Sequence, residues 1–278
     1  EHGKYLPLGI VGQSLQPIEY TLPVKSAQVK SALLLAGLFA EGETVITEQT
    51  KTRDHTETML EAFGVLLDID GNSIRLKGKQ QLTPTDVYVP GDISSAAFFL
   101  AGAAANVGLN PTRTGIIDVL IKMGADLVIK NERKIGGELF GDIHLKSAPL
   151  KGVEISGEII PRLIDEIPII ALVATQAEGK TVIKDAEELR VKETDRIAAV
   201  VNVLSTLGAD ITATEDGMII KGKTDLSGGK VSAYHDHRIA MMAAIASFFT
   251  KEEVVLDDDS SIAISYPNFF DDLNKITK

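Results

Sequence analysis

Small apolar residues recur along the chain in four runs whose spacing fits buried helices. Their first residues lie 68, 70 and 73 positions apart, and three of the runs are followed by a short alternating or β-branched segment typical of a strand. This regular spacing predicts an internal repeat of one supersecondary unit. The predicted helices are 26–40, 94–104, 164–175 and 237–249, and the predicted strands are 43–48, 180–185 and 252–257, with a further strand at 20–24.

A second set of helices and a set of hairpins complete each copy of the repeat. Three of the second helices run into Gly64, Gly124 or Gly208, where a residue with positive φ can end a helix. Asp70-Gly71-Asn72 and Asp216-Gly217 are hairpin-turn signals between short alternating segments. The second helices are predicted at 54–63, 114–123, 195–207 and 267–276.

The second copy of the repeat is shorter than the others. If its helix continues to Ala104, no room remains for a strand before Asn106-Val107-Gly108, and roughly ten residues are missing relative to the sibling copies. A missing strand would leave backbone groups of a sheet unpaired. We therefore expect the sequence to skip a loop at this point.

Composition narrows the class of protein. The chain has 278 residues, 44% hydrophobic and 5% aromatic, enough for two domains with aliphatic cores. Cysteine is absent, which excludes disulfides and thiol nucleophiles and suits a cytoplasmic location. No apolar run reaches the length of about 18 residues needed to span a membrane. The net charge of −11 argues against a nucleic-acid partner but permits a locally positive cleft.

The densest cluster of charge is Arg-Val-Lys-Glu-Thr-Asp-Arg at 190–196. If the segment is helical, Lys192, Glu193 and Arg196 share one face. Two cations with a carboxylate between them would suit an anionic substrate that also needs a proton. The alternative is a solvated helix start, in which Glu193 and Asp195 favour the positive end of the helix dipole.

Four motifs together resemble the 5-enolpyruvylshikimate-3-phosphate synthase family, in that family's order. They are Ser-Ala-Gln-Val-Lys-Ser-Ala at 26–32, Lys-Thr-Arg-Asp-His-Thr-Glu at 51–57, the 190–196 segment and Asp-His-Arg-Ile-Ala-Met at 236–241. The sibling transferases that act on UDP-N-acetylglucosamine carry neither of the last two motifs. The resemblance runs from about Gly3 to the C-terminus.

The resemblance implies an α/β (α+β) enolpyruvyl transferase fold, in which six βαβαββ copies form two domains that face a cleft. This chain would hold one copy of the first domain and three of the second. The polar segment 83–91, with Pro84 and Pro90, is the expected boundary. We therefore predict an incomplete first domain at 1–88 and a second domain at 89–278.

The resemblance also implies a reaction and its residues. The enolpyruvyl group of phosphoenolpyruvate would move to the 5-hydroxyl of shikimate 3-phosphate, with release of phosphate and with no cofactor or metal. Asp165 would accept the hydroxyl proton, Glu193 would protonate the enolpyruvyl carbon, and Lys192 would contact the hydroxyl and the leaving phosphate. Shikimate 3-phosphate would also contact Ser26, Ala27, Gln28 and Arg53, and phosphoenolpyruvate would contact Gln28, Arg196, His237 and Arg238.

Simpler structural roles remain open for several of these residues. Ser26 is a good N-cap, and either Asp165 or Glu166 could cap the helix that follows. A lone histidine at a helix start, such as His237, is more often a structural hydrogen-bonding group than a catalyst. Lys51, Asp54 and His55 are expected to have local roles, with Asp54 as a cap.

Two positions depart from the family pattern. Ile264 stands where many members carry lysine, so phosphoenolpyruvate would depend on Arg196 and Arg238. Glu188 stands where some members carry asparagine, and we predict that its carboxylate points away from the phosphate.

The alternatives to the implied transferase function are a non-catalytic fragment and a sibling transferase that acts on UDP-N-acetylglucosamine. We expect a cytoplasmic protein that is a monomer when complete, and a fragment of 278 residues that is inactive alone.

Overall fold

The computed structural model describes residues 9–100 and 103–276, and the chain divides into two compact units, Glu1–Asp86 and Val87–Lys278. Each unit has its own hydrophobic core. The division lies inside the proline-containing segment 83–91.

The first unit is one β-α-β-α-β-β copy. Its elements are β1 (Glu19–Thr21), α1 (Ala27–Gly37), β2 (Glu43–Thr47), α2 (His55–Ala62), β3 (Leu67–Asp70) and β4 (Ser73–Lys77). The sheet order is β1-β2-β4-β3, with β1 parallel to β2 and the other pairs antiparallel. Alternate strand residues, Ile46, Ile74 and Leu76 among them, point to a small core that also holds Leu34 and Leu60.

The second copy, at the start of the second unit, corrects one prediction. α3 (Ile93–Ala96) and the 3-10 turn Ala97–Phe99 are followed by β5 (Ala103–Gly108), α4 (Gly115–Lys122), β6 (Asp126–Ile135) and β7 (Glu138–Lys146). The sheet order is β5-β7-β6. The prediction of a helix to Ala104 with no room for a strand is wrong. The backbone N–H and C=O groups on one side of β7 need hydrogen-bond partners. The helix therefore ends early, and the bulged strand β5 pairs with β7.

The third and fourth copies complete the second unit. The third contains β8 (Glu154–Ile155), α5 (Ile167–Gln176), β9 (Gly179–Ile183), α6 (Arg196–Thr206), β10 (Asp210–Ala213) and β11 (Met218–Gly222). Its sheet order, β8-β9-β11-β10, repeats the order of the first copy. The fourth contains β12 (Gly229–Val231), α7 (His237–Ala246), β13 (Val254–Leu256), α8 (Ile262–Ser265) and α9 (Phe269–Ile276).

The core of the second unit forms around two helices with small side chains. α5 packs against α7, and fully buried alanines such as Ala171, Ala174, Ala240 and Ala243 allow the helices to approach closely.

The predicted glycine helix ends are present in both units, because Gly64, Gly124 and Gly208 have φ of 85°, 98° and 93°. Among the described residues, no helix combines the length and the apolar character that crossing a membrane requires.

Gly217 in the β10–β11 turn provides a test of the sheet. A Cβ atom at this position would lie 2.0 Å from the carbonyl oxygen of Ile183, so the β9–β11 pairing must shift to admit it. We expect Gly217→Ala to lower the free energy of unfolding by about 1–3 kcal/mol, measured by urea denaturation. Gly12→Ala is the control, because a Cβ there meets nothing within 4 Å. Equal stabilities of the two variants would contradict the close contact.

Candidate functional site

The 190–196 segment is not a continuous helix. A 3-10 turn covers Glu187–Val191, Lys192 is extended, and α6 begins at Arg196 with Asp195 as its N-cap. The Asp195 carboxylate accepts a hydrogen bond from the Ala198 N–H (3.0 Å) and pairs with Arg190 (2.7 Å). A cap residue lies outside the helix. Both sequence interpretations are therefore corrected: Lys192 and Arg196 do not share a helix face, and Glu193 and Asp195 precede the first turn.

Arg196 lies at the centre of a buried charge cluster. Its side chain is 1% exposed, and its nitrogens reach three carboxylates. Nε donates to Asp236 (2.8 Å), Nη1 donates to Asp165 (3.3 Å) and Nη2 donates to Glu193 (2.6 Å). A buried guanidinium needs such partners, since an unpaired charge in the interior is strongly destabilising. The segments before α5, α6 and α7 are thus held together at one group.

Asp236 connects this cluster to the start of α7. It is fully buried, and its carboxylate accepts hydrogen bonds from Arg196 and from the backbone N–H of Arg238 (2.9 Å). The Arg238 guanidinium in turn lies 3.7 Å from the second oxygen of Asp165. Asp165 therefore faces one arginine with each carboxylate oxygen, which fixes its orientation.

Glu166 belongs to a different network from its neighbour Asp165. It is fully buried, accepts a hydrogen bond from the Ser94 hydroxyl, and lies 3.8 Å from Arg113, which also pairs with Asp92 (3.3 Å). Burial raises the pKa of Glu166, although the Arg113 charge opposes the shift. Of the two cap candidates, Glu166 takes the N-cap position of α5, but it makes no side-chain cap bond, and its carboxylate faces Arg113 instead.

Lys192 and His237 are sequence neighbours of the cluster residues Glu193 and Asp236. Lys192 forms an ion pair with Glu188. The Glu188 carboxylate thus faces the cation that the resemblance assigns to the leaving phosphate. That it points away from the bound phosphate stays a prediction. Burial, together with Arg238 and Arg196, lowers the pKa of His237, which favours its neutral form. Ile264 on α8 is 78% exposed and supplies no charge.

The first unit contains the other predicted positions. Ser26 is the N-cap of α1: its Oγ accepts from the Val29 N–H (3.4 Å) and donates to Gln28 Oε1 (3.3 Å). Ala27 and Gln28 open α1, and Arg53 lies just before α2. Asp54 takes the N-cap position of α2 without the predicted side-chain cap bond.

Sequence reasoning missed the buried lysine of α1. Lys30 has no exposed surface, and its Nζ lies 3.1 Å from Glu48 and 2.6 Å from Glu57. Glu48 also accepts a hydrogen bond from the Thr52 N–H (3.1 Å), so the cluster fixes the loop that leads to Arg53. Burial raises the pKa of Glu57, and Lys30 opposes that shift. The only sign in the sequence that Lys30 is buried is its position in a helix of mostly small and apolar residues.

Comparisons with known proteins agree with this fold. The family model described as EPSP synthase (3-phosphoshikimate 1-carboxyvinyltransferase) matches residues 1–273. The chain belongs to the EPSP synthase family. No group of three or more histidine, cysteine, aspartate or glutamate residues suited to a metal ion occurs in the described part of the chain.

Two curated relatives in the EPSP synthase family carry the name 3-phosphoshikimate 1-carboxyvinyltransferase. The one from Oceanobacillus iheyensis is 58% identical over 287 positions, with 100% of this chain and 67% of the relative covered. The one from Bacillus subtilis is 58% identical and covers 99% of this chain and 67% of the relative. Because 287 aligned positions exceed the 278 residues of this chain, at least nine positions of the first relative have no counterpart here.

Solved structures agree on the fold. EPSP synthase from Acinetobacter baumannii is 47% identical with a TM-score of 0.86, and the match covers 95% of this chain and 63% of that one. The enolpyruvyl transferase NikO from Streptomyces tendae is 19% identical with a TM-score of 0.71, a likeness of fold alone. This chain therefore has the enolpyruvyl transferase fold, and it spans about two thirds of the length of its relatives.

The Arg196 cluster can be tested by a double-mutant cycle. Arg196→Ala leaves Asp236 buried without its cation, so we expect a loss of about 3–5 kcal/mol in the free energy of unfolding. Adding Asp236→Asn, which keeps an N-cap side chain but removes the charge, should recover part of that loss. Arg75→Ala is the control, because its pair with Asp68 is exposed and worth about 0–1 kcal/mol. Simple additivity in the cycle would rule out coupling between Arg196 and Asp236.

The raised pKa of Glu166 predicts a pH-dependent stability. A carboxyl group whose pKa is higher in the folded state stabilises the protein fully below the unfolded pKa of 4.5, and this contribution is lost as pH rises through the folded value. Glu166→Gln keeps an acceptor for Ser94 and cannot ionise. We expect the stability of Glu166→Gln to rise relative to the parent between pH 4.5 and 8, measured by denaturation at both ends. The exposed Glu158→Gln should show no such trend.

Proposed function

We propose that the protein is a 3-phosphoshikimate 1-carboxyvinyltransferase. In the addition step, the 5-hydroxyl oxygen of shikimate 3-phosphate bonds to C2 of phosphoenolpyruvate, its proton goes to a base, and C3 gains a proton from an acid. In the elimination step, phosphate leaves C2 and C3 returns its proton. The observation that carries the proposal is that two carboxylates, Asp165 and Glu193, lie on different nitrogens of one buried guanidinium, Arg196.

The surroundings of the two carboxylates support separate roles. Asp165 is 12% exposed and fixed between Arg196 and Arg238, which suits a base in an unchanging position. Glu193 is 49% exposed and is held by Arg196, so it remains accessible to a bound substrate. We assign Asp165 as the proton acceptor in the addition step and Glu193 as the proton donor to C3.

The cations around these carboxylates suit anionic substrates. Arg238 and His237 begin α7, where the backbone N–H groups and the helix dipole favour an anion. We propose that phosphoenolpyruvate contacts Arg238, His237 and Arg196, and that Lys192 exchanges Glu188 for the leaving phosphate. Arg196 already binds three carboxylates, so its main role is to orient Asp165 and Glu193.

We propose that the first unit recognises the phosphate of shikimate 3-phosphate. Ser26 provides a hydroxyl, Ala27 a backbone N–H and Gln28 a side-chain amide at the start of the eleven-residue helix α1, and Arg53 adds a cation. Gln28 would also reach phosphoenolpyruvate. The family resemblance is the support for these contacts, and equally for a monomer located in the cytoplasm.

The test is phosphate release from shikimate 3-phosphate and phosphoenolpyruvate. The chain is assayed alone and joined to the N-terminal third of the Oceanobacillus relative, the part that the family resemblance implies is missing here. We expect turnover in the joined protein, and Asp165→Asn or Glu193→Gln should lower kcat by about a hundredfold to ten-thousandfold. Glu215→Gln, an exposed carboxylate outside the cluster, is the matched control.

Two results would contradict the proposal. One is turnover with UDP-N-acetylglucosamine as the acceptor in place of shikimate 3-phosphate. The other is full activity in both carboxylate variants, which would remove Asp165 and Glu193 from the proton transfers.

A further inference from the structure

An apolar pocket in the second unit lies apart from the charged site. It has a volume of about 450 Å³ and is lined by residues of the 3-10 turn Ala97–Phe99, of α4, α5 and α7, and of the segment after α7, including Phe98, Ile116, Leu120, Ile169 and Phe249. None of the residues around Arg196 lines it. Protein interiors contain few voids larger than a water molecule. An engineered apolar cavity of only about 150 Å³ already binds benzene.

The pocket occurs where the second copy is shorter than its siblings. α1, α5 and α7 have 11, 10 and 10 residues, whereas α3 has four and continues in a 3-10 turn of three. Ala97, Phe98 and Leu100, at the end of this short helix, form one wall of the pocket. One wall of the pocket therefore belongs to the copy with the short helix, and the pocket volume falls in the range of about 300–1,000 Å³ that is typical of ligand sites.

The charged residues that line the pocket are all positively charged. Lys146 at the end of β7 and Lys223 after β11 are both exposed and both line the pocket, together with Ser147 and Gln176. Within residues 9–100 and 103–276, neither lysine side chain has a hydrogen-bond or ion-pair partner. No acidic residue lines the pocket. A ligand with an apolar body and an anionic end would match both features.

We propose that this pocket binds a small amphiphilic anion, a medium-chain carboxylate of the fatty-acid type, with its chain against Phe98, Ile116 and Leu120 and its carboxylate near Lys146 and Lys223. The proposal does not depend on the transferase activity. It concerns side chains of the second unit alone, so the 278-residue chain can be tested directly.

The experiment is calorimetric titration of the chain with octanoate, decanoate and dodecanoate below their micelle concentrations. We expect saturable binding of one dodecanoate per chain, with affinity falling roughly fifteenfold for each two methylenes removed. Lys146→Ala and Lys223→Ala should each weaken dodecanoate binding about two- to fivefold. The control is Lys130→Ala with Lys134→Ala, two exposed lysines of β6 that do not line the pocket.

A variant that fills the pocket provides a second measurement. The chain contains no tryptophan, so the indole of Ala148→Trp reports on this position alone. We expect blue-shifted emission, from an indole in apolar surroundings, and loss of dodecanoate binding. Any of three results would overturn the proposal: no saturable binding to the parent, affinity independent of chain length, or equal weakening by the control lysine variants. None of them bears on phosphate release, so the two proposals can fail separately.

Discussion

The charge pairing of Arg196 is the interaction on which the arrangement of the site depends. One guanidinium with almost no exposure binds carboxylates that precede α5, α6 and α7. Because a buried charge without partners is strongly destabilising, the three segments must come together for the second unit to fold. Asp236 extends this constraint, since the same carboxylate that binds Arg196 also begins α7. The start of α7 and the Arg196 cluster therefore form together, because both depend on the Asp236 carboxylate.

The second constraint on the site comes from Glu166. Asp165 and Glu166 are adjacent, yet one carboxylate faces Arg196 and Arg238 and the other faces Ser94 and Arg113. The partners of Asp165 and the partners of Glu166 thus fix the segment before α5 through two separate networks. A catalytic carboxylate positioned in this way has little freedom to reorient, which is what proton transfer at a defined distance requires.

Local features were predictable from the sequence, and long-range ones were not. The Ser26 cap and the glycines at 64, 124 and 208 depend on a few neighbouring residues, and the repeat period reveals the order of elements. β5 was missed because its formation depends on β7, more than thirty residues later. The partners of Glu166 lie 72 and 53 positions earlier, so no local pattern could indicate them. The charge cluster and its spacing indicated Glu193 and Arg196, whereas Asp165 and Arg238 were selected by the resemblance. The four residues lie together in the structure, and their roles remain predictions.

The first and third copies have the same sheet order, and the second copy is shorter than both. This has a consequence for how such chains change length. Each copy completes most of its backbone pairing within itself. The copy with the short helix also has a bulged strand, whereas the first and third copies keep the same strand order. Insertions and deletions in this architecture are thus absorbed one module at a time, so evolution can reshape one copy while the charged residues of another stay in place.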